Sequence, residues 1–372
     1  MILNNDKDKD KDKDKDKDNS KNNSAVPKSF WELTEKRFKE ITDNFSLINP
    51  ILVFGDVGID KYTYGSVSRI SPEAPVAVLE VSEEWYKLGL AANVSDNLRS
   101  LKIASTLCSV IGDDKNGSEF ERLMLERELN PKAIVKEKGR TTTLKERVTT
   151  NTQQICRIDY ESKNDLHLSS CEQIESLIKG MSDKHSALII EDYGKGIVEE
   201  KLLATIIDLF RESNKLVTVD PSRSANPSCY KNANLLKPNL EEATIMVRGL
   251  GYSKEKKLEK MADILVSKLN LDMVVITLGA NGMGLIDTKG DGKFHIIPTV
   301  AKEVFDVSGA GDTAISVITA SLVSKATLEE SCWLANCASG IVVAKRGTAT
   351  VSIDELSKFY RELDSENSQR FQ

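Results

Sequence analysis

Long apolar runs, paired cysteines and histidines are what this sequence has least of. No apolar stretch approaches the roughly 20 residues that a membrane-spanning helix needs. The 6 cysteines (Cys108, Cys156, Cys171, Cys229, Cys332 and Cys337) are scattered, form no C-x-x-C pair and have only 3 histidines to help them. That spacing argues against a zinc site. Without a secretory signal, disulfides are not expected and the chain reads as cytoplasmic. Positive charge is not in excess either: Lys and Arg total 51 against 57 Asp and Glu, a formal net charge of −6. Nucleic acid and anionic membrane both demand a clustered positive surface, so neither is an expected partner. No G-x-x-x-x-G-K-[ST] string occurs, which excludes a P-loop enzyme. No G-x-G-x-x-G follows the first strand, which argues against a dinucleotide-binding dehydrogenase. There is no repeat at a solenoid period.

What is present is ordinary globular material: 372 residues, 40% hydrophobic and 29% charged, enough to bury a core without metal or disulfide staples. The N-terminus stands apart. Asp6 to Asp18 alternates Asp and Lys, and residues 1–26 offer nothing to bury, so they read as a disordered, solvated tail. A polar amphipathic helix is expected from Pro27 to Asn44, with Phe30, Trp31, Leu33, Phe38 and Ile41 as its apolar members.

From Ile51 apolar strands alternate with helical stretches. Strands are predicted at Ile51–Asp56, Ile103–Ile111, Ala187–Glu191, Leu216–Asp220, Asn234–Lys237 and Asp272–Thr277. Helices are predicted at Ala91–Leu101, Ser118–Leu129, Ser170–Lys179, Glu199–Ser213, Lys254–Leu269, Gly311–Ser324 and Leu328–Lys345. The alternation points to an α/β fold with a mostly parallel central sheet and helices on both faces. Two regions break the pattern: Tyr62–Val81, and Ala133–Asp159 with its short Thr/Val/Ile alternations. Together they suggest a small β lid over an active site. A single domain over 27–360 and a C-terminal tail over 361–372 complete the expected organisation.

The most informative string is Asp306-Val307-Ser308-Gly309-Ala310-Gly311-Asp312-Thr313, which leads straight into an apolar helix. Three small residues let successive N–H groups converge at a helix N-terminus, a natural anion site. Asp312 falls in the first turn beside it. A carboxylate next to an anion hole suits phosphoryl transfer, with the Asp accepting the proton of the attacking hydroxyl. The same string also reads as a glycine turn with an acidic helix start. Asn239-Leu240-Glu241-Glu242 follows a strand and Pro238. Asn and Glu on one helix face would suit hydrated Mg²⁺ near phosphate oxygens, and equally a helix start with acidic residues in its first turn. Thr277-Leu278-Gly279-Ala280-Asn281-Gly282 ends another strand; its glycines allow close approach of a base or ribose, or an ordinary hairpin. Asp192-Tyr193-Gly194-Lys195-Gly196 and Asp220-Pro221 end strands at the same edge, where doubly wound sheets bind ligands.

With these motifs the chain resembles the phosphofructokinase-B/ribokinase-like carbohydrate kinase family from Ile51 to Leu356. The glycine string resembles the family's second signature, and the N-x-x-E at 239–242 its Mg²⁺/phosphate motif. Within the family, Gly55-Asp56 with Asp60-Lys61-Tyr62, Ser68-Arg69-Ile70-Ser71-Pro72-Glu73-Ala74-Pro75, Gln153 to Asp159 and Asp192 to Gly196 are similar to the D-glycero-β-D-manno-heptose-7-phosphate kinases. The resemblance implies a ribokinase-like fold and transfer of the γ-phosphoryl group of ATP, with Mg²⁺, to O1 of the heptose phosphate in lipopolysaccharide-core biosynthesis. It implies Asp312 as base and Gly309, Ala310 and Gly311 as the anion hole. Asp60, Gly89 and Asn93 would meet the sugar, and Arg69, Arg147 and Arg157 its phosphate, with Asp192 and Lys195 also on the substrate side. Asn239, Leu240, Glu241, Glu242, Thr277, Gly279, Gly282 and Asn336 would line the nucleotide, Glu242 serving Mg²⁺ through water and phosphate. The lid would also pair two subunits into a homodimer. Two departures stand out. Leu90 occupies a position usually held by glycine before Ala91-Ala92-Asn93, which keeps open a kinase for another sugar or sugar phosphate, or a catalytically silent ligand-binding relative. No H-x-G-H nucleotidyltransferase string occurs, so a stand-alone kinase is expected.

Overall fold

The computed structural model describes residues 33–223 and 226–370. The Asp-Lys segment and the opening of the first expected helix, with Phe30 and Trp31, lie outside them. Helix α1 (Glu35–Asn44) starts at the N-cap Thr34, whose hydroxyl accepts from the Arg37 N–H. Its Arg37 guanidinium forks onto both oxygens of Glu330 at 2.8 and 2.9 Å, and Phe38 stacks on Tyr360.

The central sheet has nine strands in the order β13-β12-β11-β10-β9-β8-β1-β4-β5. They are β1 (Ile51–Gly55), β4 (Ser105–Gly112), β5 (Ile134–Glu137), β8 (Ala187–Glu191), β9 (Leu216–Asp220), β10 (Leu235–Leu236), β11 (Met273–Thr277), β12 (Met283–Asp287) and β13 (Phe294–Ile297). Pairing is parallel from β5 to β11 and antiparallel in the closing hairpin. Alternate residues of each strand face opposite helix layers. Leu52, Phe54, Leu188, Ile190, Val217 and Val219 pack with α4 (Leu168–Met181), α5 (Glu200–Glu212), α6 (Leu240–Gly249) and α7 (Leu258–Leu269) in one buried cluster. The other face meets α2 (Ala91–Ser100), α8 (Ala310–Val323) and α9 (Leu328–Val343), with α3 (Lys115–Glu126) and α10 (Ile353–Arg370) further out. With both faces covered, the strands read as continuous apolar runs.

The second sheet has four strands in the order β3-β2-β6-β7: β2 (Val57–Ile70), β3 (Ala77–Leu90), β6 (Thr143–Thr149) and β7 (Gln154–Tyr160). It is the expected lid, but longer than the sequence suggested, starting at Val57 and ending at Leu90. Residues 134–137, read as lid, instead pair with β4 at the edge of the central sheet. Hairpin β12–β13 and α6 appear in the sequence only as alternative readings of the 277–282 and 239–242 strings, and α10 is not marked. Helix α10 runs through 361–370, the segment read as a tail. Among the described residues no helix is long and apolar enough to cross a membrane.

Candidate active site

The carboxyl ends of β1, β8, β9, β10 and β11 meet the N-terminus of α8 at one edge of the central sheet. Gly309 caps α8 with φ 81°, a conformation that favours glycine. A Cβ there would also lie 2.8 Å from the Asn93 Nδ2, so both backbone and space forbid a side chain. Asp312, in the first turn of α8, is buried. Its Oδ2 accepts from Asn93 Nδ2 at 2.7 Å and its Oδ1 from the Tyr193 hydroxyl at 2.5 Å. Burial pushes the Asp312 carboxyl above its ordinary value; the bonds from Tyr193 and Asn93 pull against it, and the Asp220 charge adds to the rise. The result is an oriented carboxylate, a stronger proton acceptor than a free aspartate, beside a row of helix N-terminal amides.

Behind it lies a cluster that the sequence reading did not single out. Lys237, just past β10, pairs with Asp220 at 2.6 Å. Burial lowers Lys237, but Asp220 and Glu191 outweigh it and leave its pKa raised. Carboxylate oxygens of Glu191, Asp220 and Asp312 lie within 4.8 Å of one another. Neither oxygen of Glu191 has a hydrogen-bond partner among the described residues. Burial, then the charges of Asp220 and Asp312, holds Glu191 well above the ordinary carboxylate range. Converging hard oxygen donors of this kind, one of them an orphan, fit Mg²⁺ and its waters. Glu242, expected at the metal, makes a capping box instead: its Oε2 accepts from the Asn239 N–H at 2.8 Å while Asn239 Oδ1 accepts from the Glu242 N–H at 2.9 Å. Its charge still reaches Asp220 and Glu191. The helix-start reading of the N-x-x-E string is the one this geometry realises.

Thr277, Gly279, Gly282 and Asn336 come together as expected, lining a cavity of about 340 Å³ with Ala310 and Gly311. Gly279 and Gly282 adopt φ 57° and 91°, and a Cβ on Gly282 would strike the Ile297 carbonyl. The same turn starts hairpin β12–β13, so cavity and hairpin share it. Asn336 donates to the Pro298 carbonyl at 2.6 Å. Asn239 reaches this edge by bridging to Thr277. Leu240 is half-exposed, and Glu241 pairs with Arg223 at 3.0 Å; neither lines the cavity.

On the lid side, Asp60 is buried: Oδ1 accepts from Arg147 at 2.6 Å and Oδ2 from the Thr348 hydroxyl at 2.8 Å. A Cβ on Gly89 would lie 3.0 Å from Asp60 Oδ2. Arg157, opposite Arg147 across β6 and β7, grips Asp159 through two nitrogens. Lys195 pairs with Glu161. Asp192 accepts from the Gly194 N–H and the Tyr230 hydroxyl, each at 2.7 Å. Arg69 is not brought in. It is exposed, nine residues along β2 from Asp60, which at strand rise is roughly 30 Å. Leu90 joins β3 to α2 with φ 59° and ψ −139°, a region that costs a non-glycine residue of order 1–3 kcal/mol.

Sequence reasoning assigned no role to Tyr193, Glu191, Lys237 and Thr348. The first three carried a usable signal, since each ends or follows a strand at the ligand-binding edge.

Comparison with known proteins gives the family and the fold. The model of the pfkB family carbohydrate kinases matches residues 51–355. The bifunctional protein HldE of Citrifermentans bemidjiense is 40% identical over 305 residues, which is 82% of this chain and 62% of that protein. The protein of the same name from Helicobacter pylori strain J99 is 38% identical over 310 residues, 83% and 66% respectively. The chain therefore spans about two thirds of the length of these relatives. Among solved structures, phosphofructokinase-2 from Escherichia coli superposes with a TM-score of 0.68 at 20% identity, over 85% of this chain and 99% of that one. Ribokinase from Thermotoga maritima gives 0.66 at 18%, over 84% and 100%. The fold is ribokinase-like, and the chain belongs to the pfkB family of carbohydrate kinases.

Proposed function

We propose that this kinase transfers the γ-phosphoryl group of ATP to O1 of D-glycero-β-D-manno-heptose 7-phosphate, in the cytoplasm, giving the 1,7-bisphosphate on the route to ADP-heptose and lipopolysaccharide core. The observation that carries the phosphoryl transfer is Asp312: a carboxylate oriented from both sides, with the 340 Å³ cavity on one flank and the charged lid on the other. The heptose is supported by the strings at 55–75 and 153–159 and by the HldE relatives.

In the reaction Asp312 accepts the O1 proton, O1 bonds to the γ-phosphorus, the bond from that phosphorus to the bridging oxygen breaks, and ADP leaves. Tyr193 and Asn93 hold the base in line, while the amides after Gly309 stabilise charge on the transferring group. Asp220 and Glu191 would hold Mg²⁺, directly or through water, with the Glu242 charge nearby; when bound, the ion neutralises phosphate charge. The lid exposes Val67, Ile70 and Val81 on its outer half and Ile158 and Tyr160 on its edge strand β7, and a second copy of the chain is the partner proposed to cover them.

Leu90 favours a second reading, a kinase for another sugar phosphate, because it adds bulk where the sugar loop turns into α2. A coupled ADP-release assay with Mg²⁺-ATP, comparing heptose 7-phosphate, fructose 6-phosphate, fructose 1-phosphate and ribose, separates the two. Preferred turnover of heptose 7-phosphate supports the first. Preference for another sugar keeps the kinase and discards the heptose. Nucleotide binding with no turnover of any of them turns the chain into a ligand-binding relative.

A further inference from the structure

Strand register sets a row of charges across the lid. Lys87, Asp60 and Lys145 lie opposite one another on β3, β2 and β6, with Asp159 next on β7. Residues directly opposite share a face. Two positions along, the same face carries Tyr62, Arg147 and Arg157. Most of these cations are already engaged. Arg147 is on Asp60, Arg157 on Asp159 and Lys195 on Glu161, while Lys87 donates to the Thr348 carbonyl at 2.6 Å.

Lys145 differs. Half-buried, its side chain makes no hydrogen bond and no ion pair among the described residues. Its ammonium lies 5.6 Å from the ring centroid of Tyr193, the tyrosine whose hydroxyl holds Asp312. Asp60 attracts it at longer range, but burial and the repulsion of Lys195, Arg147 and Arg157 lower its pKa. A half-buried ammonium among other cations is unfavourable until an anion joins it.

We infer that Lys145 is the anion-contacting residue of the acceptor subsite, taking an oxygen of a phosphate group carried by the sugar, while the paired arginines supply the surrounding positive field. The inference rests on the sugar-kinase reading and deepens it, since it assigns the acceptor to the phosphorylated class. Placement favours the acceptor over the nucleotide. Lys145 shares its row with Asp60 on the lid and is not among the residues that line the nucleotide-side cavity.

The test is calorimetric titration of the nucleotide-free full chain with heptose 7-phosphate, fructose 6-phosphate and fructose 1-phosphate, each against its unphosphorylated sugar, and separately with Mg²⁺-ATP. Lys145→Met should weaken the phosphosugar that the wild type binds by about 10- to 100-fold, the scale of a lost charge-assisted bond, and leave the unphosphorylated sugar and Mg²⁺-ATP unchanged. Lys145→Arg, which keeps the charge, should retain most of the preference. Equal losses for phosphorylated and plain sugars would overturn the inference. So would a loss confined to Mg²⁺-ATP, which would put the ammonium on the γ-phosphoryl group, or a wild type with no preference for phosphorylated sugars. A Lys145-dependent preference for a fructose phosphate over heptose 7-phosphate would support the inference and remove the heptose.

Discussion

Strands β1 and β8 of the central sheet are buried at every position, whereas β7 of the lid is exposed at every position. Both sheets draw on β-branched and aromatic residues, yet they are held by different forces. The central sheet is sandwiched between helix layers, and its strands persist because apolar area on both faces is out of water. The lid is rooted at one end and laced by polar contacts: Lys61 with Glu146 at 3.0 Å, Thr63 with Glu146 at 2.6 Å, Arg147 with Asp60, and Tyr62 stacked on Trp85 at 5.3 Å between centroids. One sheet fixes the position of Asp312 and the strand ends around it. The other presents a face of paired charges.

The sharpest way to break this contrast is in the core. Phe54→Ala, at a fully buried position of β1, should cost about 3–5 kcal/mol of stability in a denaturant titration. Asp312→Asn should leave the fold intact and lower kcat by about 10²-fold or more with modest change in KM in the ADP-release assay; near-normal turnover would remove Asp312 as base.

A third effect depends on pH. Burial, then the Asp56 charge, pushes Asp192 up to about 6. The native state therefore holds this proton more readily than the unfolded chain, whose carboxyl titrates near about 4. Stability from the group is whole below that value and is lost as pH rises through 6. Asp192→Asn, neutral throughout, should flatten the melting temperature against pH across that window; an unchanged slope would argue against it. The smallest effect belongs to the lid. Ile70→Glu and Ile158→Glu should change subunit stability by no more than about 0.5 kcal/mol, yet shift light-scattering mass from dimer to monomer. A dimer that persists in both variants would move the subunit contact elsewhere.

The central sheet was legible because burial on both faces leaves uninterrupted apolar runs: 187–191 and 216–220 were readable to the residue. Hairpin β12–β13 was not, because its turn is built from the glycines that also suggested a nucleotide loop. Helix α6 hid for a similar reason, its capping box being the string read as a phosphate motif. Asp312 and Gly309 were legible because backbone geometry limits what such a turn accepts. Lys145 was not, since being unpartnered is a property of the folded surroundings and leaves no mark on neighbouring residues; Glu191 was legible only as a strand end. Arg69 and Arg147 are indistinguishable as letters; only register separates them, Arg69 lying nine residues beyond Asp60 on β2 and Arg147 opposite Tyr62 on β6, within reach of Asp60.

Leu90 leaves no spacer between the lid and the helix that carries Asn93. Strand β3 ends on it and α2 begins at the next residue, so the two elements form a single lever with a leucine as pivot. A glycine pivot would swing freely; leucine at positive φ has few other conformers to visit. Any tilt of this sheet would turn α2 with it and move Asn93 against Asp312, coupling the orientation of the sheet to that of the carboxylate.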